Sequence, residues 1–533
     1  MCNHHRFLRS VCFVIGMLLP VSMSVVFAAG EYTEPGYIDR VLYPEGYSIL
    51  SSDHVMFPVD VRDWPIKIDA RRQLFVDDYL VAEMTGLTRQ YHAMVKHPAN
   101  PVIRADRPWE GTAVGPRHVA YDEATGRFRM WYSSSVPYKE GDKMLRRAAT
   151  LYAESDDGVH WTKPELGQVE VEGSKANNVI LMPGAPRFIH RDESRPADER
   201  YVALISHKPP RDDVEREGMF LYTSPDGMHW TGHLDQFVIP HLETVSMPQD
   251  GIGDTTIFRY DPYLKRYICD CKFLIPDDRL GRLRVRGMAE SEDLIHWTRP
   301  RVILYPDERD DPDAQIYAQM SFVYESMWLG SVRVMRVERV GWKQTEVEFS
   351  YSRDGRHWCR PAKRQPLLAL GDPDGWEPDY SSMINQAPLV IGDELWFYYM
   401  GSRNPEREGR PIREPWDMAI GLAKLRRDGF ASLDGGDEPG IVLTRPLTFA
   451  GKTLYVNADV ADGGYVKVAV LSRKSEPIVG FGLEDAVAVT GDRTKLQVTW
   501  KDRSQLKPSS SVTDHYRLKF EIKNAKLYSF WIE

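Results

Sequence analysis

The sequence predicts an all-β protein, a five-bladed β-propeller followed by a C-terminal β-sandwich. Three observations carry that expectation. One short motif recurs four times, its tryptophans separated by 69, 67 and 61 residues. Each copy ends a run of three short strands whose apolar residues alternate with the period of two expected of half-buried sheets. Beyond residue 437 the motif stops while alternating strands continue.

In chain order the first element is an export signal over residues 1–29. Arg6 and Arg9 precede the apolar run from Val11 to Leu19, and Val26-Phe27-Ala28 with Ala29 supplies the small residues of a cleavage site. The expected destination is periplasmic or extracellular. No later stretch approaches the ~20 apolar residues of a membrane span. The whole chain of 533 residues carries 68 basic and 77 acidic side chains, a net charge of -9, without a polybasic block. That balance excludes a partner bound through a nucleic-acid backbone. Cys269, Cys271 and Cys359 remain after the signal, too few and too close for a zinc site, and are read as structural thiols. No cofactor is expected, and a structural calcium in the propeller channel is left open.

Residues 30–105 form an N-terminal extension with strands that pack on the propeller. Within it Leu74-Phe-Val-Asp-Asp78 is the candidate to close the ring against the last blade. The propeller spans residues 106–436. Its four motif copies are Glu154-Ser-Asp-Asp-Gly-Val-His-Trp161, Thr223-Ser-Pro-Asp-Gly-Met-His-Trp230, Glu290-Ser-Glu-Asp-Leu-Ile-His-Trp297 and Tyr351-Ser-Arg-Asp-Gly-Arg-His-Trp358. Arg427-Asp-Gly-Phe430 is a degenerate fifth. Asp-Gly marks a tight turn: glycine accepts positive φ and aspartate bonds the turn backbone. The His-Trp pairs are therefore architectural. Strands are expected at 117–122, 127–133 and 148–154 in the first blade and at 187–190, 201–205 and 219–223 in the second. The third blade takes 256–260, 266–270 and 286–290, the fourth 320–324, 327–331 and 347–351, and the fifth 387–391, 394–399 and 418–424. Repeating units of this size indicate a propeller. Residues 437–533, with short alternating strands and Gly-rich turns, suit an accessory β-sandwich.

Blades ending Ser-x-Asp-Gly-x-x-Trp, followed by a sandwich, resemble the superfamily of glycoside hydrolase families 32 and 43. Arg72-Gln-Leu-Phe-Val-Asp-Asp-Tyr-Leu80, Phe128-Arg-Met-Trp-Tyr132 and Leu527-Tyr-Ser-Phe530 are similar to exported family-32-like bacterial proteins. The resemblance implies a glycosidase acting on a plant or algal polysaccharide or oligosaccharide. The chain lacks the Trp-Met-Asn-Asp-Pro-Asn-Gly, Arg-Asp-Pro and Glu-Cys motifs of family 32, which points away from invertase or fructanase chemistry.

Glycoside hydrolysis generally needs two carboxyl groups, one protonated as acid and one ionised as base or nucleophile. The candidates precede the innermost strands. Asp254, in Gly-Asp-Thr-Thr, is the first choice, with Glu110 or Glu377 as the facing partner. Trp109 and Trp376, each next to a glutamate, are expected to stack a sugar ring, with Asp313 and Asp379 as further binding acids. Arg117, His118 and Arg187 open the first two blades; arginine among acids suits a carboxylated or sulfated sugar. His190 opens the second blade beside Arg187, and His241 is read as structural. Two other functions fit the same pattern: a non-catalytic carbohydrate-binding propeller, and a sialidase-like enzyme, which requires three converging arginines.

Overall fold

The computed structural model describes residues 64–182, 184–207, 218–240, 255–278, 280–336, 344–384, 386–403, 417–509, 511 and 513–533. The fold is nearly all β. Among the described residues the only helical segment is a single 3-10 turn at Ala197–Glu199.

Three successive four-stranded antiparallel sheets follow the repeat. The first is built from Val114–Asp122, Arg127–Glu140, Lys143–Ser155 and Val179–Leu181. The second uses Pro186–Arg191, Tyr201–His207, Gly218–Ser224 and Thr231–Pro240. The third uses Ile257–Asp261, Arg266–Asp277, Gly281–Ser291 and Arg301–Leu304. The fourth and fifth repeats share one nine-stranded sheet, joined through the single parallel pair Thr345 and Tyr380. Its main strands are Ala314–Tyr324, Met327–Arg336, Gln344–Ser352, Tyr380–Met383, Glu394–Ser402 and Met418–Arg426. The first strands of the sheets pack side by side from Val114–Asp122 round to Ala314–Tyr324, and Glu394–Ser402 and Met418–Arg426 return to Val114–Asp122.

The repeated turn is a closed hydrogen-bonding unit. In the first copy Ser155 Oγ accepts from Gly158 N at 2.9 Å and donates to Asp157 Oδ1 at 3.0 Å. The same Oδ1 accepts from Val159 N and His160 N, both at 2.8 Å, and the Asp157 carboxylate pairs with His160. Copies at Asp226, Asp293 and Asp354 repeat these bonds. Gly227 shows why the motif needs glycine. Its φ is 79°, and an added Cβ would lie 2.9 Å from Trp131. Two of the turns grip an aromatic of a neighbouring unit: Trp131 Nε1 donates to Gly227 O at 2.6 Å, and Tyr398 donates its hydroxyl to Gly158 O at 2.7 Å. In the degenerate copy Phe430 is fully buried against Phe322, Tyr324, Phe349 and Phe397. Asp428 beside it accepts from Arg72 (2.7 Å), Tyr324 (2.8 Å) and Ser529 (2.6 Å), tying the repeats to the C-terminal sheet.

Two expectations change. Gln73–Leu74 pairs with Phe530 and Ser529, not with the last repeat; the strand that lies on Met418–Arg426 is Val95–Lys96, opposite Lys424 and Ala423. The C-terminal region is one eight-stranded hydrogen-bonded sheet that also recruits Gln73–Leu74, Val81–Thr85, Leu87–Tyr91 and Ala431–Gly435. It therefore extends beyond residues 437–533. Burial is the reason: Phe75 and Leu80 are fully buried in the same apolar core as Trp500, Phe520 and Phe530, each such side chain contributing about 1.5–3 kcal/mol.

Candidate functional site

Where the first strands converge lies a cavity of about 280 Å³, close to the lower end of the ~300–1,000 Å³ range of ligand sites. Arg117 reaches it from the first sheet, Arg187 from the second and Arg333 from Met327–Arg336. Tyr317 and Tyr380 add two phenols, and Thr255, Thr256 and Ser382 add hydroxyls. No carboxylate occurs among the described lining residues.

The arginines are held in place. Arg117 donates through Nε to Ser133 Oγ at 2.9 Å. Its pKa falls to about 10, because burial disfavours the charge and Arg187 adds like-charge repulsion. The Arg333 guanidinium lies 4.5 Å from the centre of the Tyr317 ring and 4.9 Å from that of Tyr380, and it donates to the Tyr380 hydroxyl. Its Nε is buried without a hydrogen-bond partner. Behind the wall, Arg286 pairs with Asp270 at 2.7 Å and donates to the carbonyls of Thr255 (2.9 Å) and Tyr317 (3.1 Å), fixing two lining segments. Burial raises the Asp270 pKa to about 6, partly offset by Arg286.

Of the residues singled out by sequence, the cavity gathers Arg117 and Arg187. Asp254 and His241 lie outside the described residues; Thr255, next to Asp254 in sequence, is on the cavity wall. Glu110 and Glu377 are not among the described residues that line the cavity. Glu110 accepts from Lys163 Nζ at 2.8 Å on both oxygens, from Tyr132 at 2.7 Å and from the amides of Asp106 and Arg107. Glu377 accepts from Lys96 at 2.7 Å, from Tyr399 at 2.9 Å and from Ser381. The two arrangements match member for member. Each glutamate follows a tryptophan and meets a tyrosine 22 residues later, and an asparagine (Asn178 or Asn100) bonds that tyrosine. They are quasi-equivalent ion-pair nodes. Burial raises the pKa of Glu377, while Lys96 and Tyr399 oppose the shift.

The remaining candidates also lie outside the cavity lining. Trp109 donates to Asn178 at 2.9 Å, and Trp376 packs against Tyr399, so neither offers the cavity a stacking face. His118 lies against Trp131, and burial lowers its pKa to about 4, with His190 and Arg129 adding to the shift. Asp313 is buried at the head of Ala314–Tyr324, and Asp379, fully buried, accepts from Thr345 N through its main-chain carbonyl at 3.1 Å. Sequence reading missed Arg333, Tyr317 and Tyr380. The signal was faint: Arg333 lies in the strand pattern Ser-Val-Arg-Val-Met, where an inward cation among apolar neighbours is the only mark.

Among the described residues no group of three or more His, Cys, Asp or Glu side chains is arranged to hold a metal, and no helix is long and apolar enough to cross a membrane. No protein-family model matches the chain, and no curated protein sequence does. Several solved structures are similar to it. An N-acetylgalactosamine deacetylase from F. plautii, solved with blood group B trisaccharide, is 15% identical over 64% of this chain and 97% of its own, with a TM-score of 0.42. A glycosyl hydrolase from Bacteroides ovatus is 12% identical over 63% and 94%, with a TM-score of 0.40. A β-1,2-mannobiose phosphorylase from Listeria innocua is 13% identical over 64% and 98%, also with a TM-score of 0.40.

Proposed function

We propose that the protein is an exported carbohydrate-active enzyme, a five-bladed β-propeller with a C-terminal β-sandwich that cleaves glycosidic bonds in its central cavity. The observation that carries this reading is the convergence of side chains from several successive first strands on one small cavity, walled by guanidinium, phenol and hydroxyl groups. Such polar groups suit a ligand dense in hydroxyls. The repeat count and the side-by-side packing of first strands support five blades. Asp254, preceding the cavity residue Thr255, is the carboxyl group this reading assigns to proton transfer.

A second reading, a non-catalytic carbohydrate-binding module, is favoured by one specific feature. The described cavity wall carries no carboxylate, and Glu110 and Glu377 are closed in ion pairs elsewhere. Reducing-sugar release across a panel of neutral and acidic plant and algal glycans separates the two, with Asp254→Asn alongside. Release by the wild type that is lost in the variant supports the hydrolase. Release by both keeps the enzyme and removes Asp254. Retention of a glycan on an affinity gel with no release from any panel member leaves the binding module.

A further inference from the structure

We propose that a groove at the junction of the last repeat and the C-terminal sheet is a second carbohydrate-binding site, which takes a neutral sugar. The inference rests on the carbohydrate reading for the class of ligand, but the groove shares no lining residue with the central cavity. It measures about 450 Å³, within the ~300–1,000 Å³ span of ligand sites. Three parts of the chain build it. The segment from His92 to Pro98 forms one side, Glu394 and residues 424–426 of the last repeat form the second, and Tyr528 of the C-terminal sheet completes it.

The charges of the groove are closed within the chain. Lys96 pairs with Glu377 at 2.7 Å and Lys424 with Glu394 at 2.9 Å. Arg426 donates to Asn457 at 2.9 Å and to the carbonyl of Ala458 at 3.1 Å, and it pairs with Asp492. A charged ligand would have to compete with one of these pairs, whereas a neutral one leaves them intact.

Hydrogen-bonding capacity, by contrast, is left over. Ser432 spends its one proton on Asp434, so its Oγ accepts from His92 Nε2 at 2.8 Å. Burial lowers the pKa of His92, and the neutral ring keeps Nδ1 as an acceptor. His97 is the converse. Its Nδ1 accepts from Ala99 N at 3.2 Å, and burial, with Lys424, lowers its pKa, which leaves Nε2–H as a donor. The Tyr528 hydroxyl bonds to no described residue and is not among the buried unpaired atoms, so it serves as both donor and acceptor to a ligand. Ala93, Val95, Pro98 and Leu425 supply apolar surface between these groups, and Val95 is 72% exposed. Apolar surface with one acceptor, one donor and one hydroxyl matches a pyranose, whose C–H faces are apolar and whose hydroxyls both donate and accept.

The test is calorimetric titration of the purified protein with neutral cello-, manno-, xylo- and arabino-oligosaccharides. At least one is expected to bind, and excess oligogalacturonate should not displace it. Tyr528→Phe, which removes only the hydroxyl, should weaken that binding about 5-fold, and Val95→Glu at least about 10-fold. Val479→Glu, at another exposed valine outside the groove, should leave it unchanged. Refusal of every neutral oligosaccharide, or binding unchanged in both groove variants, overturns the site. Displacement by oligogalacturonate overturns the neutral assignment. Unchanged binding in the variants together with glycan cleavage removes the groove and leaves the carbohydrate reading intact. Binding weakened in the variants, with no glycan cleaved by the wild type, keeps the groove and removes the enzymatic reading. If the variants fail to fold, protection of His97 in the wild type from diethyl pyrocarbonate by the bound oligosaccharide replaces them, and absence of protection counts against the groove.

Discussion

The lysine–glutamate nodes and the central cavity both bury charge, and they treat it in opposite ways. At Glu110 and Glu377 every charged atom is met by a side chain or amide of the protein: Lys163 and Lys96, Tyr132 and Tyr399, all within 2.9 Å. In the cavity three arginines point to a shared space with no carboxylate on the described wall. Buried charge that is closed within the chain holds the fold together. The guanidinium groups of the cavity instead meet phenol and hydroxyl neighbours: Arg117 donates to Ser133, and Arg333 donates to the Tyr380 hydroxyl. The same residue types carry both roles, so composition cannot tell them apart.

The largest expected effect breaks a node. Lys163→Met leaves the Glu110 carboxylate buried beside Tyr132 and should cost about 3–5 kcal/mol in urea unfolding. Glu110→Gln combined with Lys163→Met should recover most of that loss, because the uncompensated charge is gone. Closed surroundings also govern the turns. Gly227→Ala meets both a φ of 79° and Trp131, a cost of about 2–4 kcal/mol; Gly126→Ala has a similar φ of 71° with open space around it, and about 1–2 kcal/mol is expected.

The cavity should respond in the opposite sense. Arg117→Met is expected to keep unfolding stability within about 1 kcal/mol of wild type, since it removes a cation that burial and Arg187 disfavour. Its loss should appear instead as weakened retention of whichever glycan the wild type binds. An equally destabilised Arg117→Met and Lys163→Met would dissolve the contrast between node and cavity.

Asp270 offers a pH signature. Its pKa is raised from 3.8 to about 6, so the folded state binds the proton more tightly than the unfolded state. The resulting stability is fully present below pH 3.8 and is lost as pH rises through 6. Asp270→Asn should flatten this slope in denaturation curves recorded across that window. The smallest effect belongs to the exposed turns. His160 is 84% exposed beside Asp157, and His160→Ala should stay within about 0.5 kcal/mol of wild type in thermal melts.

Most strand positions were legible in the sequence. The alternation at 201–205 and 219–223 marks strands that the structure places at Tyr201–His207 and Gly218–Ser224, and the Asp-Gly turns sit where the motif put them. Local chemistry explains this success: positive φ, a Ser–Asp bonding pattern and a period of two are properties of neighbouring residues. The candidate site was less legible. Glu110 and Glu377 looked catalytic because an acid beside a tryptophan is ambiguous until its partners are known. Lys163 lies 53 residues from Glu110, and Lys96 lies 281 from Glu377.

By itself, then, the sequence determined the all-β character, the repeat, the turn geometry and the strand order within each unit. Tertiary structure alone decided three things. It set Val95–Lys96, not Leu74–Asp78, on the last repeat. It drew strands from residues 73–91 into the C-terminal sheet. It also sorted buried charges into closed nodes and an open cavity. Each of these depends on which distant groups meet when apolar surface is buried, and no pattern within a short window of sequence encodes that meeting.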